Sequence, residues 1–284
     1  MKKAGRIFFT GLLKSFICIV LVLSAAVLSY HSVFRFFHIP EDVEKVSIGA
    51  VREQESITTA TLDDISKNLI FCVDDNGVVI KLLLEVYPCA QKRMSYFTIP
   101  VETRITMSDS LYQKLILINP SVPQIMKLSG IAKHFPEGTA YEYGVLLVEE
   151  LLDTKMSYYT IVPVELYETI FQTEEQETAP IGDGSSQGDG VRTCPREIFS
   201  KDFLSMIHKI QTEEELKAYL EEVYEEIQSN LPLEDKLNYL ESYLKLTPAS
   251  ITFDLIAGEK TNSAYVIDRS KAAEQLALVT GQAR

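Results

Sequence analysis

The stretch from Asn68 to Thr103 constrains this chain more than any other. It reads strand, tight turn, strand, loop, strand. Its apolar runs, Leu69 to Val73, Val78 to Val86 and Tyr96 to Ile99, are short and rich in β-branched and aromatic residues. They are bounded by Asp74-Asp75-Asn76-Gly77 and by Pro88 to Lys92, which is the punctuation of a sheet. The acidic pair Asp74 and Asp75 stands where the first strand ends, a position at which α/β sheets place functional side chains. Asp-Asp-Asn-Gly is also ordinary hairpin chemistry, so a turn and a ligand site are both readings of this pair, the turn coming first.

Downstream, periodicity adds helices. Ser108 to Ile118 carries a mixed pattern that Asn119 and Pro120 break, and a short helix is expected over Gln124 to His134. Thr139 to Asp153 places Tyr143, Leu146, Leu147, Leu151 and Leu152 at helical spacing with acids opposite. Ser157 to Val162 reads as a strand, and Pro163 opens a helix through Phe171. Gln172 to Gly190 is acidic and glycine-rich and is expected to be a mobile loop inside one domain. Pro195 to Ile210 forms an apolar stripe, Thr212 and Glu215 spell a capping box opening a helix through Ile227, and another helix follows Asn230 to Glu234. The glutamates there read as a solvated helix face rather than a metal site. Ser250 to Ile256 and Ala264 to Ile267 are expected strands, followed by a helix over Asp268 to Leu278. A lone late hairpin would be marginal in water, so both strands are expected to join the early sheet. The fold class is therefore α/β (α+β), with a three-layer mixed β-sheet flanked by helices.

Charge divides the chain. Residues 1–37 carry Lys2, Lys3, Arg6, Lys14 and Arg35 and no acid, although the whole chain has a net charge of −13. The remainder is strongly acidic, which argues against nucleic acid as a partner. Residues 15–37 are apolar apart from His31 and Arg35 and match the ~20 residues of a membrane-spanning helix. The positive-inside rule puts residues 1–14 in the cytoplasm as a basic tail. Residues 38–67 then form a juxtamembrane connector, and residues 68–284 an extracytoplasmic domain on a single-pass anchor in the cell membrane. Ser24-Ala25-Ala26 offers the alternative of a cleaved signal, but the apolar run continues past it to Phe37. Cys72 and Cys89 lie on or beside neighbouring strands and are read either as one disulfide or as buried thiols. No cysteine or histidine spacing marks a metal site.

The order of parts resembles one family. The basic-flanked apolar segment, Asn68 to Asp74, the strand ending near Pro88, Thr98-Ile99-Pro100-Val101-Glu102-Thr103 and the helix-strand-helix from Tyr143 to Phe171 are collinear with the LytR-CpsA-Psr (LCP) domain, also called the cell envelope-related transcriptional attenuator domain. Arg196 ahead of Phe203-Leu204, Asn230 to Asp235, and Ser263 to Asp268 before a short helix follow in the same order.

The resemblance implies a membrane-anchored, outward-facing protein of cell-wall assembly. Such proteins transfer anionic glycopolymers from a polyprenyl pyrophosphate carrier to peptidoglycan with a divalent metal such as Mg2+. That chemistry calls for carboxylates on the metal and arginines on the phosphate oxygens. Here Asp74 matches the first acid and is the implied metal ligand, but the second acid falls on Val79. The arginine of the Pro-Arg-Asp-Thr signature is Val101, and the acid beside it is Glu102. Arg196 matches one arginine of the later cluster, while its companion falls on Phe199. Two hypotheses follow. One is a degenerate binding or scaffolding module that holds a polyprenyl lipid, a wall glycopolymer or an active LCP paralogue. The other is a phosphotransferase with a rebuilt site, using Glu102, Arg104 and Arg196 for catalysis and Asp74, Asp75 and Arg196 for substrate. Transcriptional regulation, which the family's second name suggests, conflicts with the expected topology.

Overall fold

Near-continuous apolar runs, buried on both faces, make the early segment a sheet covered on two sides. The computed structural model describes residues 57–136, 138–178 and 192–281. The expected basic tail, membrane helix and most of the connector lie outside the described residues. Among the described residues no helix is long and apolar enough to cross a membrane.

In chain order the elements are β1 (Ile65–Val73), β2 (Val79–Pro88), β3 (Met94–Thr98), β4 (Arg104–Thr106), α1 (Asp109–Ile116), β5 (Ile125–Lys127), α2 (Ile131–His134), α3 (Ala140–Leu152), β6 (Tyr158–Pro163) and α4 (Val164–Ile170). Then come β7 (Phe171–Thr178), β8 (Arg192–Phe199), α5 (Lys201–Ile207), α6 (Glu213–Glu226), β9 (Gln228–Ser229), α7 (Leu233–Lys236) and α8 (Leu240–Tyr243). The chain closes with β10 (Ile251–Leu255), β11 (Gly258–Lys260), β12 (Tyr265–Ile267) and α9 (Arg269–Thr280).

The central sheet has six strands in the order β10-β3-β2-β1-β6-β9. It is mixed: β1 with β6 and β10 with β3 run parallel, and the other pairs are antiparallel. Leu69, Phe71, Leu82, Leu84 and Val86 face one core, which Leu115, Ile131, Leu147, Val148 and Ala272 of the helices complete. Ile70, Cys72, Leu83, Tyr87 and Tyr96 face the other, covered by Tyr167, Phe171, Phe199, Phe203 and Tyr239. The expected central mixed sheet between flanking helices is thus present.

Several boundaries differ from expectation. Gln172 to Thr178 is not loop but the strand β7, paired with β8 from Phe171↔Phe199 to Thr178↔Arg192. The rest of the expected mobile stretch lies outside the described residues. Glu174 opposite Arg196 in this ladder gives an acidic strand an ion-paired neighbour, a cross-strand term that composition alone does not reveal. The expected helix over Gln124 to His134 is β5 followed by two short helical turns, because Met126 pairs with Ile105 in β4. Of the two late strands, β10 joins the central sheet beside β3, whereas β12 pairs with β11. Cys72 and Cys89 are free thiols.

The capping box is formed as expected. The Thr212 hydroxyl accepts the Glu215 N–H, and the Glu215 carboxylate accepts the Thr212 N–H. Thr212→Ala is expected to destabilise α6 by about 1 kcal/mol. Thermal unfolding should report that as a midpoint lower by about 2–4 °C.

Candidate functional site

β1, β3, β6 and β10 point the same way, so their C-terminal ends meet one edge of the sheet. Four of the candidate charged residues arise at or just beyond that edge. Asp74 Oδ1 accepts the backbone N–H groups of Asn76 and Val78, each at 2.9 Å. Gly77 adopts φ +73°, the left-handed conformation that such a turn requires. Asp74 therefore builds the hairpin. Together with Asp75 it also lines an open, polar cleft of about 900 Å3 shared with Tyr141, Tyr159, Gln228 and Ser229.

Glu102 pairs with Lys127 of β5. Arg104 is exposed and sits opposite the same Lys127 in the β4–β5 register. Arg196 lies on the β7–β8 hairpin, where Nη2 donates to Glu174 at 2.8 Å and Nη1 to the Phe253 carbonyl at 3.3 Å. The structure thus brings Asp74 to Asp75 and Glu102 with Arg104 to Lys127, and it places Arg196 elsewhere, over β10. Val79 and Phe199, where the resemblance implies charge, are buried apolar side chains.

The Mg2+ that the resemblance implies needs several convergent oxygens. Among the described residues no group of three or more Asp, Glu, His or Cys side chains is placed to hold a metal. The Asp74 and Asp75 pair is a poor fit, since Asp74 Oδ1 is occupied by turn amides.

Two charged clusters escaped the sequence reading. Both lie under the second face of the sheet. In the first, Lys81 Nζ donates to Thr173 Oγ1 at 2.7 Å and to Glu197 Oε1 at 3.0 Å, pinning the β7–β8 hairpin to β2. Glu197 is 2% exposed. These groups, with Cys72, Tyr167 and Phe171, line a cavity of about 300 Å3. Burial pushes the Cys72 thiol up to about 12, so it is not a nucleophile at neutral pH.

In the second cluster, Lys236 Nζ donates to Tyr158 Oη at 2.6 Å and lies 3.6 Å from Glu85 Oε1, while Tyr96 Oη donates to Glu85 Oε2 at 2.9 Å. The ammonium also sits 5.0 Å and 5.1 Å from the ring centroids of Tyr158 and Tyr243. Burial alone would push the Lys236 ammonium down, but the oxygens of Tyr158, Tyr243 and Glu85 hold it well above its ordinary value. The signal was in the sequence: Lys81 and Glu85 interrupt the run Val78 to Val86 at positions that share one face.

Glu85 and Lys236 form the polar end of an apolar cavity of about 240 Å3 lined by Met94, Leu204, Leu216, Leu220 and Ile251 among others. Aromatic rings separate the two cavities. Phe171, which lines the first, packs on Phe199, which lines the second, at 5.4 Å between centroids. Tyr96, Phe203 and Phe253 pack around Phe199 at 5.4, 4.8 and 4.8 Å.

No protein-family model matches this chain, and no curated protein sequence matches it significantly. Among solved structures, the fold is similar to TagV of Bacillus subtilis, an LCP protein, with a TM-score of 0.51 at 13% identity over 78% of this chain and 99% of that one. It is also similar to protein gbs0355 from Streptococcus agalactiae, with a TM-score of 0.52 at 13% identity over 78% of this chain and 89% of that one. The chain has an LCP-like fold.

Proposed function

We propose that this chain is a membrane-anchored, outward-facing binding or scaffolding module of cell-wall glycopolymer assembly, which holds the hydrocarbon of a polyprenyl carrier and does not transfer its phosphate. One observation carries the reading. Arg196, the arginine that matches the family cluster, is held by Glu174 and the Phe253 carbonyl rather than standing free for a phosphate. Removing a single charge-stabilising donor from such a site typically costs ~10²–10³ in rate, and the positions of Val79, Val101 and Phe199 carry none. The LCP-like fold and the apolar cavity beneath α5 and α6 support retention of the lipid. At about 240 Å3 that cavity is slightly smaller than the usual ~300–1,000 Å3 ligand site. It therefore suits a portion of a chain rather than a whole carrier.

The full chain, purified in detergent with Mg2+, is expected to bind a polyprenyl pyrophosphate analogue and release no phosphate. Leu220→Trp, which fills the cavity from α6, should weaken binding about tenfold without unfolding the protein, as followed by fluorescence titration. Phosphate release that Arg196→Ala abolishes would establish the rebuilt phosphotransferase instead.

A further inference from the structure

A second surface lies between α4, α5 and α6, next to the apolar cavity, with which it shares Ile210 and Tyr219. The residues of α6 that line it are Glu215, Ala218, Tyr219, Glu222, Val223 and Glu226, spaced i, i+3, i+4, i+7, i+8 and i+11. This is the stripe by which one helix packs on another. The opposite wall is made by Leu166 of α4 and Phe203 and Met206 of α5, with Ile210 just beyond it. Together they enclose an open groove of about 670 Å3. Leu166, Met206, Ile210, Tyr219 and Val223 are all half-buried, so the floor is apolar and still reaches solvent.

The rim has one sign. Asp202, Glu215, Glu222 and Glu226 line the groove, and among the described residues no Lys, Arg or His does. Glu215 is committed to the capping box, which leaves Asp202, Glu222 and Glu226 on the rim, all exposed. An apolar floor under exposed carboxylates repels anionic lipid surfaces and anionic polymers alike. It matches an apolar face flanked by Lys and Arg.

We propose that this groove is the docking site for a basic amphipathic helix of another protein, whose apolar i, i+3, i+4, i+7 residues enter beside Ala218, Tyr219 and Val223 and whose cations reach Asp202, Glu222 and Glu226. The mode is helix-in-groove recognition, with the missing helix completing the α4–α5–α6 layer. The groove shares Ile210 and Tyr219 with the lipid cavity, but its acidic rim and Ala218, Glu222 and Val223 line only the groove, so the variants below probe it apart from the lipid reading.

The full chain in detergent is titrated with a fluorescent synthetic peptide of Leu and Lys patterned as an amphipathic helix, alongside a scrambled peptide of the same composition and a Leu and Glu version. Expected is binding of the patterned cationic peptide that weakens with salt, with the scrambled and acidic peptides at least about tenfold weaker. The triple variant Asp202→Asn, Glu222→Gln, Glu226→Gln should weaken binding about tenfold. An equal neutralisation away from the groove, Glu234→Gln, Glu241→Gln, Glu274→Gln, should leave it within about twofold. Ala218 is exposed, so Ala218→Lys places charge and bulk on the floor without touching the core. It should abolish binding while the unfolding midpoint stays unchanged. Equal binding of patterned and scrambled peptides, equal loss in both triple variants, or no binding at low salt would overturn the proposal.

Discussion

Lys236→Met lowers the stability of this protein by about 3–5 kcal/mol, because it leaves the Glu85 carboxylate buried without its cation. Glu85 keeps the hydrogen bond from Tyr96 and a long one of 3.4 Å from Tyr158, but neither supplies a positive charge. Met retains the length and volume of the lysine stem, so packing around Tyr158 and Tyr243 is largely preserved. The loss is therefore electrostatic. Thermal unfolding should show a midpoint lower by about 10 °C for a domain of this size. The double variant Lys236→Met, Glu85→Gln should return most of the stability, since replacing both members of a buried pair by neutral groups is often neutral or favourable. A single variant within about 1 kcal/mol of the parent would show that the pair contributes nothing.

The second large effect concerns Phe199. Its ring packs against Tyr96, Phe171, Phe203 and Phe253 and forms the partition between the two cavities under the sheet. Phe199→Ala is expected to cost about 3–5 kcal/mol. It also opens the cavity of about 240 Å3 toward the one of about 300 Å3. If the apolar cavity seats hydrocarbon, the variant gains affinity for long prenyl phosphates relative to short ones, since each further buried methylene contributes about 0.8 kcal/mol. A competition titration between a long and a short prenyl phosphate measures this, and the ratio is expected to rise at least about tenfold. An unchanged ratio would mean that the chain does not enter from the side of Phe199.

The sheet was legible because its signal is local. Leu69 to Val73 and Val78 to Val86 are near-continuous apolar runs joined by a tight turn, and an antiparallel pair covered on both faces buries them. The stripe from Pro195 to Ile210 misled for a physical reason: Ile198 belongs to a strand and Phe203, Met206 and Ile207 to the next helix, and concatenated they imitate one helical face. Gln124 to His134 misled because a three-residue strand pairs only through tertiary contact with Ile105. The candidate charged residues could be named from the family pattern, but their partners could not. Lys81 and Glu197 are 116 residues apart, and Lys236 and Tyr158 are 78 apart. Only the folded topology brings such groups to one place.

The two rims of the central sheet have a bearing on colloidal behaviour. An unpaired strand edge is a template for self-association. At one rim β9 is only two residues long. At the other, the guanidinium of Arg196 donates to the Phe253 carbonyl of β10. One end of the sheet is thus short, and at the other the arginine that the resemblance aligns with a phosphate-binding position instead occupies a carbonyl of the outer strand. Arg196→Ala uncaps that carbonyl, and light scattering belongs beside any assay of the variant, because a silent sample and a precipitating one would otherwise look alike.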